Sequence, residues 1–332
     1  MARSTSTPSG YPCCAVQPWW CAARQPPNPT EASVYACRHR GSGSVPSNEA
    51  GDATISATSN EGNAMDFRGR NALVTGSTQG VGEALLNRMA DAGLAGAVVV
   101  GRNPDRGAAV VADLAAKGCD AVFVPTDLED PASIERLLET ARERFGVIHH
   151  LANCAGITDR GDVWDTSVEL FDRMMNVNLR SAFLTCQGVA RMARDTGVPA
   201  SIVNVGSVAA YGGAPFITAY SISKGAMMTM TRSLAYQLMQ HRIRVVMVNP
   251  GWMDTPGEDD TQRRYHNAVD DWLARVEERQ PFGRLIKPEE IAETLAFVLS
   301  DDAGMMTGTV IDYDQSVQGA GEAQTAPSRD DG

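Results

Sequence analysis

Asn71-Ala72-Leu73-Val74-Thr75-Gly76-Ser77-Thr78-Gln79-Gly80-Val81-Gly82 is the stretch that decides the fold. A short, mostly apolar run leads into a glycine-spaced turn, and a helical pattern over Val81 to Asp91 follows. Glycines at such a turn let the backbone bend tightly and come close to a pyrophosphate. The helix behind them offers free N–H groups and the positive end of its dipole. The spacing is G-x-x-x-G-x-G, not the commoner G-x-G-x-x-G, so a plain glycine-rich turn is the competing reading. On the phosphate-loop reading, Gly76, Ser77, Gln79, Gly80, Val81 and Gly82 are candidate cofactor contacts.

Outward from this loop, strand-like runs alternate with helical stretches. The strand candidates are 71–75, 97–100, 121–125, 149–153, 201–205, 244–249 and 310–313. The helical patterns lie at 81–91, 106–117, 131–145, 168–194, 219–240 and 288–299. Short apolar strands separated by helices imply βαβ units and a parallel sheet buried on both faces. Right-handed crossovers then give a doubly wound, Rossmann-like α/β fold. With no linker inside residues 66 to 316, a single domain over 65–316 is expected, followed by a polar tail over 317–332. The polar stretch Asp254 to Gln280 interrupts the alternation. It reads either as a cover over a ligand crevice or as a solvated pair of surface helices.

Composition limits the partners. The chain of 332 residues has a formal charge of −11. Nucleic acid and anionic membrane surfaces call for basic patches, so neither is an expected partner. No apolar run approaches the ~18 residues of a membrane span. Residues 1–64 are rich in Ser, Thr, Pro, Gly and Ala without sustained periodicity, which predicts a disordered extension outside the fold. Met65 is then the functional start, an expectation that an intact mass beginning at Met1 would overturn. Cys13, Cys14, Cys21 and Cys37 fall in this extension at spacings that match no zinc pattern, and no metal site is expected. Cys119, Cys154 and Cys186 read as buried thiols in a reducing, cytoplasmic setting.

Two further features carry chemistry. Tyr220 and Lys224 stand four residues apart, on one face of a helix. A nearby ammonium favours phenolate, which would draw the tyrosine down from about 10 and make it a proton donor and acceptor. Lys224 is one of only three lysines, with Lys117 and Lys287, so the choice of lysine here is unusual for this chain. The second strand ends Val99-Val100-Gly101-Arg102 with no acid for ribose hydroxyls. Arg102 can bind a 2′-phosphate instead, which favours NADP(H) over NAD(H). Its bland alternative is a surface pair with Asp105.

Taken together, these segments resemble the compact branch of the short-chain dehydrogenase/reductase family, over about residues 66 to 314. Thr75 to Gly82 is similar to its T-G-x-x-x-G-x-G. The resemblance places an adenine contact at Asp127-Leu128 and the N-N-A-G segment at Asn153-Cys154-Ala155-Gly156, with cysteine in place of the second asparagine. Asn178, Ser207, Tyr220 and Lys224 fall on the catalytic tetrad. Asn249-Pro250-Gly251 with Thr255 matches the segment that holds the nicotinamide carboxamide. The last strand departs from the family's Asp-Gly-Gly and reads Asp312-Tyr313-Asp314.

The resemblance implies hydride transfer between nicotinamide and a carbonyl or secondary alcohol of a small molecule. Tyr220 would protonate the alkoxide and Ser207 position the substrate oxygen. Lys224 would lower the tyrosine pKa and hold the ribose, while Asn178 would anchor a water. The substrate class stays open between a 3-oxoacyl or general ketone and a sugar or polyol. A non-catalytic NADP(H)-binding regulator is the alternative of another class. A homodimer or homotetramer is expected from the long helices, whose apolar residues include Met227, Met228 and Met230.

Overall fold

Successive strand residues point to opposite faces of a sheet, and this alternation builds the core. In a computed structural model of the chain, which describes residues 65–317, strand β1 (Asn71–Thr75) sends Ala72 and Val74 to one face and Leu73 to the other. Strand β2 (Gly96–Gly101) divides in the same way, with Ala97 and Val99 opposed to Val98 and Val100. The first face is covered by Leu85, Leu86 and Met89 of α1 (Gly80–Asp91), Val110 and Leu114 of α2 (Pro104–Ala116), and Ile291, Leu295 and Val298 of α9 (Pro288–Leu299). The second is covered by Leu137 and Ala141 of α3 (Pro131–Phe145), Val189 and Ala193 of α5 (Ser181–Thr196), and Ala235 of α6 (Thr218–Leu238).

The remaining strands are β3 (Asp120–Pro125), β4 (His150–Asn153), β5 (Ala200–Val205), β6 (Ile243–Pro250) and β7 (Val310–Tyr313). All seven run parallel in the order β3-β2-β1-β4-β5-β6-β7. The order reverses between β1 and β4, and a ligand crevice opens there, outside the carboxyl ends of the strands. This is the doubly wound Rossmann-like fold expected from the alternation. The expected extension over 1–64, its four cysteines, and the tail from 318 onward lie outside the described residues.

Local signals account for the helix ends. Asp130 accepts from the N–H groups of Ala132 and Ser133, Pro131 fills the first helical position, and Gly146 (φ 72°) ends α3. Pro288 opens α9, where the Glu290 carboxylate accepts the Lys287 N–H at 2.8 Å. The other end of α9 is held from the sheet. Arg244 of β6 donates to the carbonyls of Val298 (2.7 Å), Leu299 (3.2 Å) and Ser300 (2.7 Å).

One element differs from the pattern. The helix expected over Val168 to Arg194 is divided into α4 (Val168–Met175), a π turn (Asn176–Arg180) and α5. A π turn adds a residue to the helical ring without breaking the run, and such turns concentrate at functional positions. The apolar pattern continues through it, so periodicity alone does not reveal it.

Candidate active site

The cradle at the end of β1 is built by close approach of three backbone segments. A Cβ on Gly76 (φ 65°) would stand 2.8 Å from Ala155 Cα, and one on Gly82 would stand 2.6 Å from the Gly76 carbonyl oxygen. Gln79, extended at the N-cap of α1, makes no side-chain cap bond, whereas Asn103, Asp130 and Ser167 cap α2, α3 and α4. The first N–H groups of α1 are thus left for an anion, which suits a dinucleotide pyrophosphate. The Gln79 side-chain oxygen accepts from Arg106. Thr255 lies 3.9 Å from where a Gly80 Cβ would be, so the start of α7 (Pro256–His266) faces the loop.

Not every expected contact faces this crevice. Ser77 is fully buried: its hydroxyl donates to the Val74 carbonyl (2.7 Å) and accepts the Val100 N–H (3.0 Å). Its side chain stitches β1 to β2. The Asn153 side chain is engaged likewise. Its amide donates to Asn204 (2.9 Å) and accepts from Thr185 (2.7 Å), and Asn204 continues to Thr231 (2.9 Å). This buried polar chain ties β4 to β5, α5 and α6, and the same residue types serve such a tie as serve a ligand.

Arg102 is exposed at the end of β2, and the pair with Asp105 is not formed among the described residues. Asp127 is exposed after β3, accepts the Glu129 N–H at 2.9 Å, and is followed by buried Leu128. Gly251 and Pro250 stand at the end of β6, where the Asp314 side chain occupies the space a Cβ on Gly251 would need. The Thr255 hydroxyl caps α7 by accepting the Glu258 N–H (3.1 Å).

The four tetrad candidates converge at the ends of β4, β5 and β6. Ser207 follows β5; its N–H donates to Asn249 Oδ1 (3.1 Å) and its oxygen accepts the Ala209 N–H (3.1 Å). Asn249 is itself oriented, since its amide nitrogen donates to Asp312 (3.0 Å), which also accepts from Tyr211 (3.1 Å). Lys224 is buried, and its ammonium donates to the Val205 carbonyl at 2.7 Å. A Cβ on Gly156 would lie 3.5 Å from Asn178 Oδ1 and 3.6 Å from Lys224 Nζ, so these two groups flank one point. Asn178 sits in the π turn. Its Oδ1 accepts the Ile157 N–H (2.9 Å), and its Nδ2 donates to the Ile157 carbonyl (3.0 Å) and the Ser223 hydroxyl (3.1 Å). The side chain therefore clamps the loop after β4.

The electrostatics differ from expectation in one respect. Burial pushes the half-buried Tyr220 phenol above its ordinary value, against a lowering by the Ser207 hydroxyl. The predicted lowering by Lys224 is not found. The ammonium lies 5.7 Å from the Tyr220 ring centroid and is turned to Val205, so i,i+4 spacing sets it over the ring and not at the hydroxyl. Burial pushes Lys224 itself down to about 8, and the Cys154 thiol up to about 12.

Asp254 to Gln280 forms two helices, α7 and α8 (Trp272–Glu277). Asp159, on the loop after β4, accepts from Tyr265 and pairs with Arg264 (3.5 Å) and Arg173 (3.3 Å), which ties α7 to that loop. Trp252 donates to Glu258 (2.8 Å). Arg160 bonds His266 (3.1 Å) and the Thr158 carbonyl (2.6 Å), with its guanidinium 5.4 Å from the Phe216 ring. Asp159, Arg160, Phe216 and His266 have no motif to announce them; they meet from the loop after β4, the segment before α6 and helix α7, which are far apart in sequence. No group of three His, Cys, Asp or Glu among the described residues is arranged to hold a metal, and no helix there is long and apolar enough to cross a membrane.

Residues 76–317 match the family profile described as enoyl-(acyl carrier protein) reductase. The chain is 36% identical to the carbonyl reductase [NADPH] 2 of Sus scrofa, across 75% of this chain and 97% of that protein. It is 32% identical to the NADP-dependent (R)-specific alcohol dehydrogenase of Lentilactobacillus kefiri, across 73% and 94%. The crystal structure of L-sorbose reductase from Gluconobacter frateurii, complexed with NADPH and L-sorbose, is similar with a TM-score of 0.72 at 26% identity, across 77% and 98%.

Proposed function

The chain belongs to the short-chain dehydrogenase/reductase family, as an oxidoreductase acting on C–OH and C=O groups, and from that premise we propose that it works as an NADPH-dependent reductase of a small-molecule ketone. The observation that carries this reading is the convergence of Ser207, Tyr220, Lys224 and Asn178 at the strand ends, where burial pushes the Tyr220 phenol up. A phenol kept protonated is in the state a proton donor needs for reduction. Bound nicotinamide would supply the hydride. Tyr220 gives its proton to the developing alkoxide, and the Ser207 hydroxyl bonds the same oxygen and orients it. Lys224 and Asn178, both buried, shape the floor at Gly156 and hold the loop in place.

Gly76, Gly80, Val81 and Gly82 form the pyrophosphate cradle in this reading, with Gln79 beside it. Asp127 and Leu128 border the adenine side. Ala155, Gly156, Pro250, Gly251 and Thr255 border the nicotinamide side. Arg102 carries the preference for NADP(H), supported by its exposure and lack of a carboxylate partner among the described residues. Arg102→Ala is expected to lower kcat/KM with NADPH by roughly tenfold or more, leaving NADH nearly unchanged. Equal loss with both cofactors, or a wild-type preference for NADH, would overturn the assignment.

A sugar or polyol substrate is the second reading. It is favoured by Trp252, half-exposed at the root of the lid and fixed by Glu258, which offers a ring face and a carboxylate to hydroxyl groups. The likeness to L-sorbose reductase points the same way. Assays of acetoacetyl thioesters, cyclic ketones and aldoses with NADPH separate the two, and turnover of none would sink both.

For the assembly we propose a homodimer or homotetramer built on α5 and α6. Met227 is buried within the subunit and Met228 and Met230 pack beside it, so these three do not support it. Support comes instead from exposed Phe183, Tyr236 and Met239, next to a groove lined by Leu234 and Leu238. Light scattering at micromolar concentration checks this, and a monomeric mass would exclude it. A cytoplasmic location is proposed from the free thiols Cys119, Cys154 and Cys186; secretion of the native protein would refute it.

A further inference from the structure

We propose that Arg160 binds an anionic group of the substrate, so that the enzyme acts on a small oxo or hydroxy acid; this rests on the reductase reading above. The cations around the loop after β4 are not used alike. Arg173 and Arg264 both pair with Asp159. Arg160 forms no ion pair among the described residues and has only neutral acceptors, the Thr158 carbonyl and His266 Nε2. His266 is held below its ordinary value by burial and by the Arg160 charge, in keeping with a neutral acceptor.

A half-buried guanidinium without a counter-charge is costly until an anion arrives. Two of its five N–H groups are engaged, which leaves the rest of the fork for a carboxylate. The site also orients it: the guanidinium lies 5.4 Å from the ring centroid of Phe216, just before α6, and 6.0 Å from that of Tyr265 in α7. Phe216 stands four residues before Tyr220. The Arg160 charge also favours the ionised form of the Tyr220 phenol. Glu258 acts on the same phenol with the opposite sign, but it is anchored through bonds from Trp252 and Gln262. Glu258 thus has its own donors while Arg160 lacks a counter-charge among the described residues, so an acidic substrate would place its carboxylate toward Arg160.

The test separates binding from turnover. Acetoacetate and its uncharged methyl ester are titrated by calorimetry into the complex with NADP+, which cannot reduce them. Acetoacetate is expected to bind roughly tenfold or more tightly than the ester, with Arg160→Gln removing the difference and Arg160→Lys restoring part of it. Thermal unfolding of each variant shows that the fold is retained, and a cofactor titration shows that the effect lies on the carboxylate. Equal binding of acid and ester to the wild-type chain, a preference that survives Arg160→Gln, or an effect confined to cofactor affinity would overturn the proposal. Carboxylate-dependent binding without reduction of any ketone by the NADPH complex would leave Arg160 in place and reject the reductase reading instead.

Discussion

Tyr220→Phe is expected to lower turnover by roughly 10²–10⁴-fold while the cofactor still binds. The substitution removes one oxygen and leaves the ring that packs beneath the Lys224 ammonium, 5.7 Å from its centroid. The helix around it keeps its other ties, among them Lys224 to Val205 and Ser223 to the Tyr220 carbonyl (2.7 Å). Only the group that hands over a proton is lost. Steady-state reduction of a ketone panel measures the first half of the prediction, and titration of NADPH fluorescence measures the second. Near-normal turnover would take the tyrosine out of the chemistry. The pH dependence follows from the same geometry. The phenol is pushed up and stays protonated as pH rises, whereas Lys224 loses its ammonium near pH 8. Loss of that charge weakens the bond from Lys224 to the Val205 carbonyl and loosens the floor at Gly156, so reduction should weaken first on the alkaline side.

Folding stability should fall steeply in acid because of a residue far from the site. His150 opens β4 and is 6% exposed, with Phe67 packed edge-on at 5.1 Å. Its Nδ1 is 2.8 Å from the Ser201 hydroxyl, which donates to the Leu299 carbonyl at 2.7 Å. Ser201 has one proton, so Nδ1 carries the hydrogen of the imidazole and Nε2 is a bare acceptor. Nε2 has no hydrogen-bond partner among the described residues.

Charging this ring means burying a cation, with His149, Arg70 and Arg244 adding like charge, and its pKa falls to about 3. A pKa depressed below the unfolded value near 6.5 means that the unfolded chain takes up the proton first. The stability is therefore complete above about pH 6.5 and is lost as pH falls toward 3. At about 1.4 kcal/mol per pH unit, the loss reaches roughly 2 kcal/mol by pH 5 and about 4 kcal/mol by pH 3, where the folded-state ring is itself half protonated. Denaturant unfolding at several pH values measures the slope. His150→Gln keeps a group that can bond Ser201 but does not titrate, so its slope should be shallower by about one proton; equal slopes in the two chains would exclude His150.

Much of this protein was legible before its structure. Three-residue signals fixed helix ends, as at Asp130-Pro131 and Gly146, because a cap and a glycine act on their own neighbours. The alternation of strands with helices was readable because the central strands β1, β2, β4, β5 and β6 are buried on both faces and read as short apolar runs. The tetrad was readable as four spaced residues, and they do meet at one end of the sheet. The strand-tying bonds of Ser77 and Asn153 were not legible, since a buried hydroxyl or amide that ties strands together looks in sequence like one that holds a ligand. The π turn was hidden because one extra residue in a helical ring leaves the apolar pattern running.

By itself, the sequence determined the doubly wound sheet, the glycine-spaced turn between β1 and α1, and the spacing that marks Tyr220 as the candidate proton donor. Those depend on periodicity, caps and spacings, which are local properties. Only the tertiary structure decided that the Lys224 ammonium turns to Val205, that Arg160 is left without a carboxylate while Asp159 draws three donors, and that His150 is cut off from water. Each of these depends on desolvation and on partners from distant segments, and a group's charge state is set by what surrounds it in space and not by what precedes it in the chain.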